Sequence, residues 1–240
     1  KSEWRVAGTG KRQSPIDITT RNAMNGMAVK SPLRRPVVTN YSSSRITLIN
    51  NGHTIQANFS KDDNNTITLG GESLPDGSWQ GGEPYKLIQF HFHHRSEHKI
   101  DNVDYPMEMH LVHAQVANPS KLAVIGVMIK EGAENVHIKK FWEHLPTPPA
   151  DHGKEEGQEH KLEYEFDPKT LIPVGGDYFQ YQGSLTTPPC SENVCWTVIK
   201  KPITFSKKQI KAFSTMFPKN NRNVQKAFDR LILRYSNSDN

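Results

Sequence analysis

With only two cysteines, Cys190 and Cys195, in 240 residues, at most one internal bridge could staple this chain. Hydrophobic residues make up 35%, and the longest apolar run, "LAVIGVMI" at 122–129, is far shorter than the roughly 20 residues a membrane-spanning helix needs. No stretch rich in Gly/Ser or in Pro marks a linker and no segment repeats, so residues 1–240 are expected to form a single domain. A charged-then-apolar leader is also missing; if the protein is exported, its signal has already been removed. The formal charge is +5, and ten Lys/Arg stand against two Asp/Glu from Cys195 onward. The aromatics fall at core spacing rather than among those basic residues, so the charge reads as a solvated face and not as a nucleic-acid surface.

What the chain does have is mostly strands. "RITLINNGHTIQANF" (45–59) alternates apolar and polar residues on both sides of an Asn-Gly turn, and "NTITLGGESL" (65–74) and "PYKLIQFHFH" (84–93) alternate beside their glycines. "MEMHLVHAQV" (107–116) and "LAVIGVMI" follow, the second apolar on both faces and so expected at the centre of a sheet. Helices are few. Ile138, Phe141, Trp142 and Leu145 fall at helical spacing before Pro146. Ser206 and Gln209 make a capping-box signature ahead of Ile210, Phe213, Met216 and Phe217. The acidic segment 151–158 reads as a surface loop.

The densest chemistry is "QFHFHHRSE" at 89–97. On a strand, Gln89, His91 and His93 share one face while Phe90 and Phe92 share the other. An isolated His-x-His is a weak metal signal, but Glu108, His110 and Val112 share a face in the next strand, and antiparallel pairing would set His110 against His91 and His93. Three neutral imidazoles leave one tetrahedral position open, the arrangement of a catalytic rather than a structural zinc. Gln89 and Glu108, each two residues before a histidine, can accept the imidazoles' other N–H protons.

The spacing His91-x-His93-x3-Glu97 also resembles the first metal motif of the cupins, but that motif is framed by glycines where this chain has Tyr85 and Asp104. Six further motifs point elsewhere: "QSPIDI" (13–18), "NNGH" (50–53), "FHFH" (90–93), "SEH" (96–98), "MEMHLVH" (107–113) and "GSLTTPP" (183–189). In this order and spacing they closely resemble the α-class carbonic anhydrases, from about Gln13 to Gln225.

That resemblance implies a mainly β fold, a large and mostly antiparallel twisted sheet of about ten strands with a few short peripheral helices. It implies Zn2+ held by His91, His93 and His110, with Gln89 and Glu108 as their hydrogen-bond partners. Thr186 matches the residue that accepts a hydrogen bond from zinc-bound hydroxide and donates to Glu97, and Thr187 matches a neighbour of bicarbonate. Val112, Val124, Leu185, Val194 and Trp196 match the apolar wall that holds carbon dioxide, and His53 matches the proton shuttle. The implied activity is reversible hydration of carbon dioxide to bicarbonate and a proton, with sulfonamides and anions as expected inhibitors. The alternative is a non-catalytic relative that binds or stores ligands, against which stand the retained histidines, Thr186 and Glu97. His94, His98 and His113 receive no role.

Three departures from the family pattern stand out. The aromatic N-terminal segment is missing, which bears on the water path for protons. Ala7 occupies the place where exported relatives carry the cysteine that pairs with the one in "TTPPC", so Cys190 lacks that partner. Asn223 and Lys226 replace two prolines near the end, which is expected to loosen that segment. The "TTPPC" form and Asn-x-Ser/Thr sequons at Asn40, Asn58 and Asn64 favour a secreted, extracellular or periplasmic protein; the missing bridge argues against it.

Overall fold

Alternation in sequence becomes alternation in burial. In Ile46–Asn50 and Ile55–Phe59 every second residue is buried, and the two strands pair antiparallel from Asn50↔Ile55 to Ile46↔Phe59, with Gly52 (φ 80°) in the turn. The structure, a computed structural model, describes residues 5–26, 28, 37–73, 79–143, 145–147 and 159–236. The acidic segment 151–158 lies outside the described residues.

Twelve strands form the main sheet. From one edge they run Glu159–Lys161, Ile46–Asn50, Ile55–Phe59, Glu83–His94, Met107–Gln115, Leu122–Glu131, Val194–Phe205, Tyr178–Gly183, Leu233–Tyr235 and Met24–Asn25. Thr66–Leu69, with Val37–Asn40 beyond it, pairs with the first part of Glu83–His94, whose later part pairs with Ile55–Phe59. Among the described residues the sheet thus has twelve strands where about ten were expected, and it is mostly antiparallel as expected, with parallel pairing in two places. Leu122–Glu131 is central as its two-sided apolar pattern predicts, yet it lies parallel to Val194–Phe205. The glycines of "NTITLGGESL" do not turn one hairpin: Thr66–Leu69 joins the main sheet, whereas Glu72–Ser73 pairs with Trp79–Gln80 in a separate one.

Each face of the sheet has its own core. Leu111 and Ile125 point to one side, where Phe90, Phe92, Phe141, Phe166, Phe205 and Phe213 gather. Complete burial of each such ring contributes about 1.5–3 kcal/mol. Val136–Trp142 and Lys207–Met216 cover this side through Ile138, Phe141, Trp142 and Phe213, and the expected capping box of Ser206 and Gln209 is formed. Val112 and Val124, the next pair along this ladder, point to the other face. That face carries the site.

Candidate metal centre

Glu83–His94 serves both faces by means of a bulge. Val112 pairs with Gln89 but His113 pairs with Leu87, so Ile88 has no counterpart. A one-residue slip reverses which face a side chain takes. Tyr85 and Leu87 before the bulge, and Phe90 and Phe92 after it, therefore enter the same core, leaving Gln89, His91 and His93 on the opposite face. The sequence pattern, read as unbroken alternation, does not announce the bulge. Beyond it, His110 stands against the histidine strand as expected, opposite His91, with Glu108 opposite His93.

The three imidazoles converge, with ring centroids 5.0 Å apart for His91–His93, 5.2 Å for His91–His110 and 4.6 Å for His93–His110. One nitrogen of each is already engaged. His91 Nδ1 donates to Gln89 Oε1 (2.9 Å), His93 Nδ1 to the backbone oxygen of Asn220 (3.0 Å), and His110 Nε2 to Glu108 Oε1 (2.9 Å). His91 Nε2, His93 Nε2 and His110 Nδ1 remain as a set of lone pairs, and one ligand atom from each ring lies within 4.8 Å of the others. His93 Nε2 is buried without a hydrogen-bond partner among the described residues, which is costly unless an acceptor of its lone pair sits there. Burial, with the neighbouring rings adding to it, holds His91 well below the ordinary histidine range; burial also lowers His93. For His110 burial acts in the same sense, but the charge and hydrogen bond of Glu108 outweigh it and raise its pKa. Inward lone pairs on rings whose other nitrogens are held in place fit a zinc ion.

Around these ligands the structure assembles most of the expected residues. Val112, Val124, Val194 and Trp196 are buried in one apolar cluster, with Leu185 packed against it. Glu97, 2% exposed, accepts a hydrogen bond at Oε1 from the Arg222 backbone N–H (2.7 Å). Its Oε2 lies 3.9 Å from His110 Nδ1 and has no hydrogen-bond partner among the described residues. Thr186, half-buried in the loop after Tyr178–Gly183, does not reach that oxygen here, and Thr187 is exposed. His53 is exposed on its turn, its N–H bonded to Asn51 Oδ1 (3.0 Å).

A family model for eukaryotic-type carbonic anhydrase matches residues 1–235. The chain belongs to the carbonic anhydrase family. A carbonic anhydrase of Nostoc sp. is 37% identical over 96% of this chain and 78% of its own length. One from Klebsiella pneumoniae is 38% identical over 96% of this chain and 83% of its own. The solved α-carbonic anhydrase of Thermovibrio ammonificans, in complex with the inhibitor sulfanilamide, superposes with a TM-score of 0.81 at 35% identity, covering 97% of this chain and 91% of that one. The mixed sheet with few helices is the carbonic anhydrase fold, and the chain is a carbonic anhydrase by family, relatives and structure.

Several residues of this carbonic anhydrase site were not picked out from the sequence. His98 is completely buried, its Nδ1 2.8 Å from Glu108 Oε1 and its Nε2 2.6 Å from the Tyr181 hydroxyl. Its place in "SEH" was visible, but its direction was not. Asn220 and Arg222 come from more than 120 residues along the chain and carried no local signal. Neither did Gly126, where a Cβ would lie 2.9 Å from Glu108 Oε1.

Proposed function

We propose that this protein is a zinc carbonic anhydrase that hydrates carbon dioxide reversibly and releases the proton through His53. The observation that carries the reading is the set of three inward lone pairs on imidazoles whose other nitrogens are bound to Gln89, Asn220 and Glu108. Zinc bound by His91, His93 and His110 would supply a hydroxide at neutral pH; the lowering of bound-water pKa to about 7 is established for carbonic anhydrases generally.

The chain's own residues do the rest. The wall of Val112, Val124, Leu185, Val194 and Trp196 takes an apolar, weakly electrophilic molecule and excludes water from it. In the role its match to the family implies, Thr186 would donate to Glu97 and fix which lone pair of the attacking oxygen faces the substrate, and Thr187 would contact the bicarbonate product. Glu97 is suited to receive the Thr186 proton because its Oε1 is already occupied by the Arg222 N–H while Oε2 stays open. His53, exposed on its turn, takes up the proton and gives it to buffer. Sulfonamides and small anions should compete for the same position; the Thermovibrio ammonificans enzyme is solved in complex with the inhibitor sulfanilamide.

Metal analysis together with a carbon dioxide hydration assay tests the reading. One zinc per chain is expected, with most of it and nearly all activity lost in His110→Ala. Full activity and zinc in that variant would refute the ligand set. Export belongs to the same proposal, supported by exposed sequon asparagines at Asn40 and Asn64. Fractionation of expressing cells should find the full-length product outside the cytoplasm; retention inside would refute export.

A further inference from the structure

We propose that the Asn220 side chain is a positioning residue for proton release, tying the turn that carries His53 to the strand that carries His91 and His93. The proposal rests on the reading of His53 as proton acceptor. The backbone oxygen, Oδ1 and Nδ2 of Asn220 serve different neighbours. Its backbone oxygen accepts from His93 Nδ1 (3.0 Å) and its Oδ1 accepts from the His94 backbone N–H (2.6 Å). Its Nδ2 donates to two carbonyls, those of His53 (2.9 Å) and Phe92 (3.1 Å). An N–H faces Oδ1 and carbonyls face Nδ2, so the orientation of the amide is fixed by its partners.

The turn is held from within as well. Asn51 Oδ1 accepts the N–H groups of His53 (3.0 Å) and Thr54 (2.9 Å), and Thr54 Oγ1 donates to the Phe92 oxygen (2.5 Å). Phe92 stands between the two histidines of the strand, so its carbonyl, held by Thr54 and Asn220, is a fixed point on the strand that carries them. Asn220 is the residue that joins the His53 carbonyl to that point and to His93 at once. An exposed ring on an anchored backbone can swing toward solvent and back while its distance from the site stays bounded. Transfer through intervening water is steeply sensitive to that distance, so the tie bears on hydroxide regeneration and leaves carbon dioxide attack alone. Only an acceptor and a two-hydrogen donor on one short planar group meet these partners. Aspartate would keep the acceptor but set a carboxylate against two carbonyl oxygens.

The test is Asn220→Asp in the zinc-loaded enzyme beside wild type, His53→Ala and the double variant. Because the Asn220 backbone oxygen also holds His93, zinc content and carbon dioxide/bicarbonate isotope exchange, which reports the chemical step, are measured in every variant, and hydration is read per bound zinc and relative to that exchange. Hydration at low buffer should fall by between about tenfold and a hundredfold, the cost of misplacing a reacting group by an ångström, and added imidazole should restore it. The double variant should be no slower than His53→Ala, since both changes act on one step. Should wild type match His53→Ala at every buffer concentration, the His53 reading itself fails. Slowing in His53→Ala with wild-type turnover in Asn220→Asp would overturn the tie alone, as would a parallel fall in isotope exchange. If Asn220→Asp does not fold, the native protein still decides: a through-hydrogen-bond scalar coupling between Asn220 Nδ2 and the His53 carbonyl carbon supports the tie, and its absence overturns it.

Discussion

Glu108 accepts four hydrogen bonds while completely buried: from His98 Nδ1 (2.8 Å) and His110 Nε2 (2.9 Å) at Oε1, and from the backbone N–H groups of Glu97 and His98 (2.8 Å each) at Oε2. Burial alone would raise its pKa, but the charges and hydrogen bonds of His98 and His110 outweigh that and hold it well below the usual carboxylate range. An ionised Glu108 forces His110 to donate from Nε2, which leaves Nδ1 toward the metal position. Gly126, opposite His110 in the adjacent strand, leaves room for this carboxylate. A Cβ there would lie 2.9 Å from Oε1, too close to keep without displacing a group held by four bonds. Gly126→Ala should therefore weaken zinc binding by about tenfold to a hundredfold, the usual cost of disturbing a partner of a ligating histidine. Competition with a chelator measures it, and unchanged affinity would show that the space behind Glu108 does not matter.

At the scale of elements, the two main helices are joined head to head by Gln209. Its Oε1 accepts the Ser206 N–H (3.0 Å) in the capping box and also the Asn135 N–H (2.9 Å), while its Nε2 donates to the Asn135 oxygen (2.9 Å). Asn135 is itself the N-cap of Val136–Trp142, and the Gln209 backbone oxygen accepts from Trp142 Nε1 (2.9 Å). A local cap and a tertiary link thus share one side chain. Ser206→Ala removes the cap alone and should cost about 1 kcal/mol. Gln209→Ala strips partners from Asn135 as well and should cost about 2–3 kcal/mol. Urea unfolding separates the two; equal losses would mean that the link to Asn135 contributes nothing. The capping box is readable in the sequence because its residues are three apart. The link is not, since Asn135 and Gln209 are 74 positions apart.

For the whole molecule, His113 sets a dependence of stability on pH. Its Nδ1 faces the Ala123 carbonyl (3.1 Å) and must donate, so Nε2 accepts from the Tyr41 hydroxyl (2.6 Å) and the ring is neutral. Burial lowers its pKa from 6.5 to about 4. Above about pH 6.5 the ring is neutral in folded and unfolded chains and its contribution is whole. Between 6.5 and 4 the unfolded chain gains a proton that the folded protein refuses, so stability falls, by on the order of 3 kcal/mol across the window. Denaturant midpoints at several pH values should show a steeper acid loss for the wild type than for His113→Gln. Identical slopes would remove His113 from the account. Comparing the two chains cancels any loss of metal, which both share.

The sequence by itself determined the strand pattern, the capping box, the neighbouring histidine strands and the partners Gln89 and Glu108. Each of these is a relation between residues a few positions apart, and hydrophobic period and hydrogen-bonding type suffice to define it. It also led to the expectation that His110 meets His91 and His93 across adjacent antiparallel strands, because strands with one buried face permit few registers. Tertiary structure alone decided the rest. The bulge at Ile88, which lets four apolar side chains enter one core while three polar ones face the site, depends on what packs on both sides of the sheet. The parallel pairing of Leu122–Glu131 with Val194–Phe205 joins segments whose patterns say nothing of direction. The carbonyl that orients His93, the N–H that occupies Glu97 and the amide that reaches His53 all come from residues 220–222. Backbone groups are the same in every residue, so only the folded chain reveals which of them will meet a ligand.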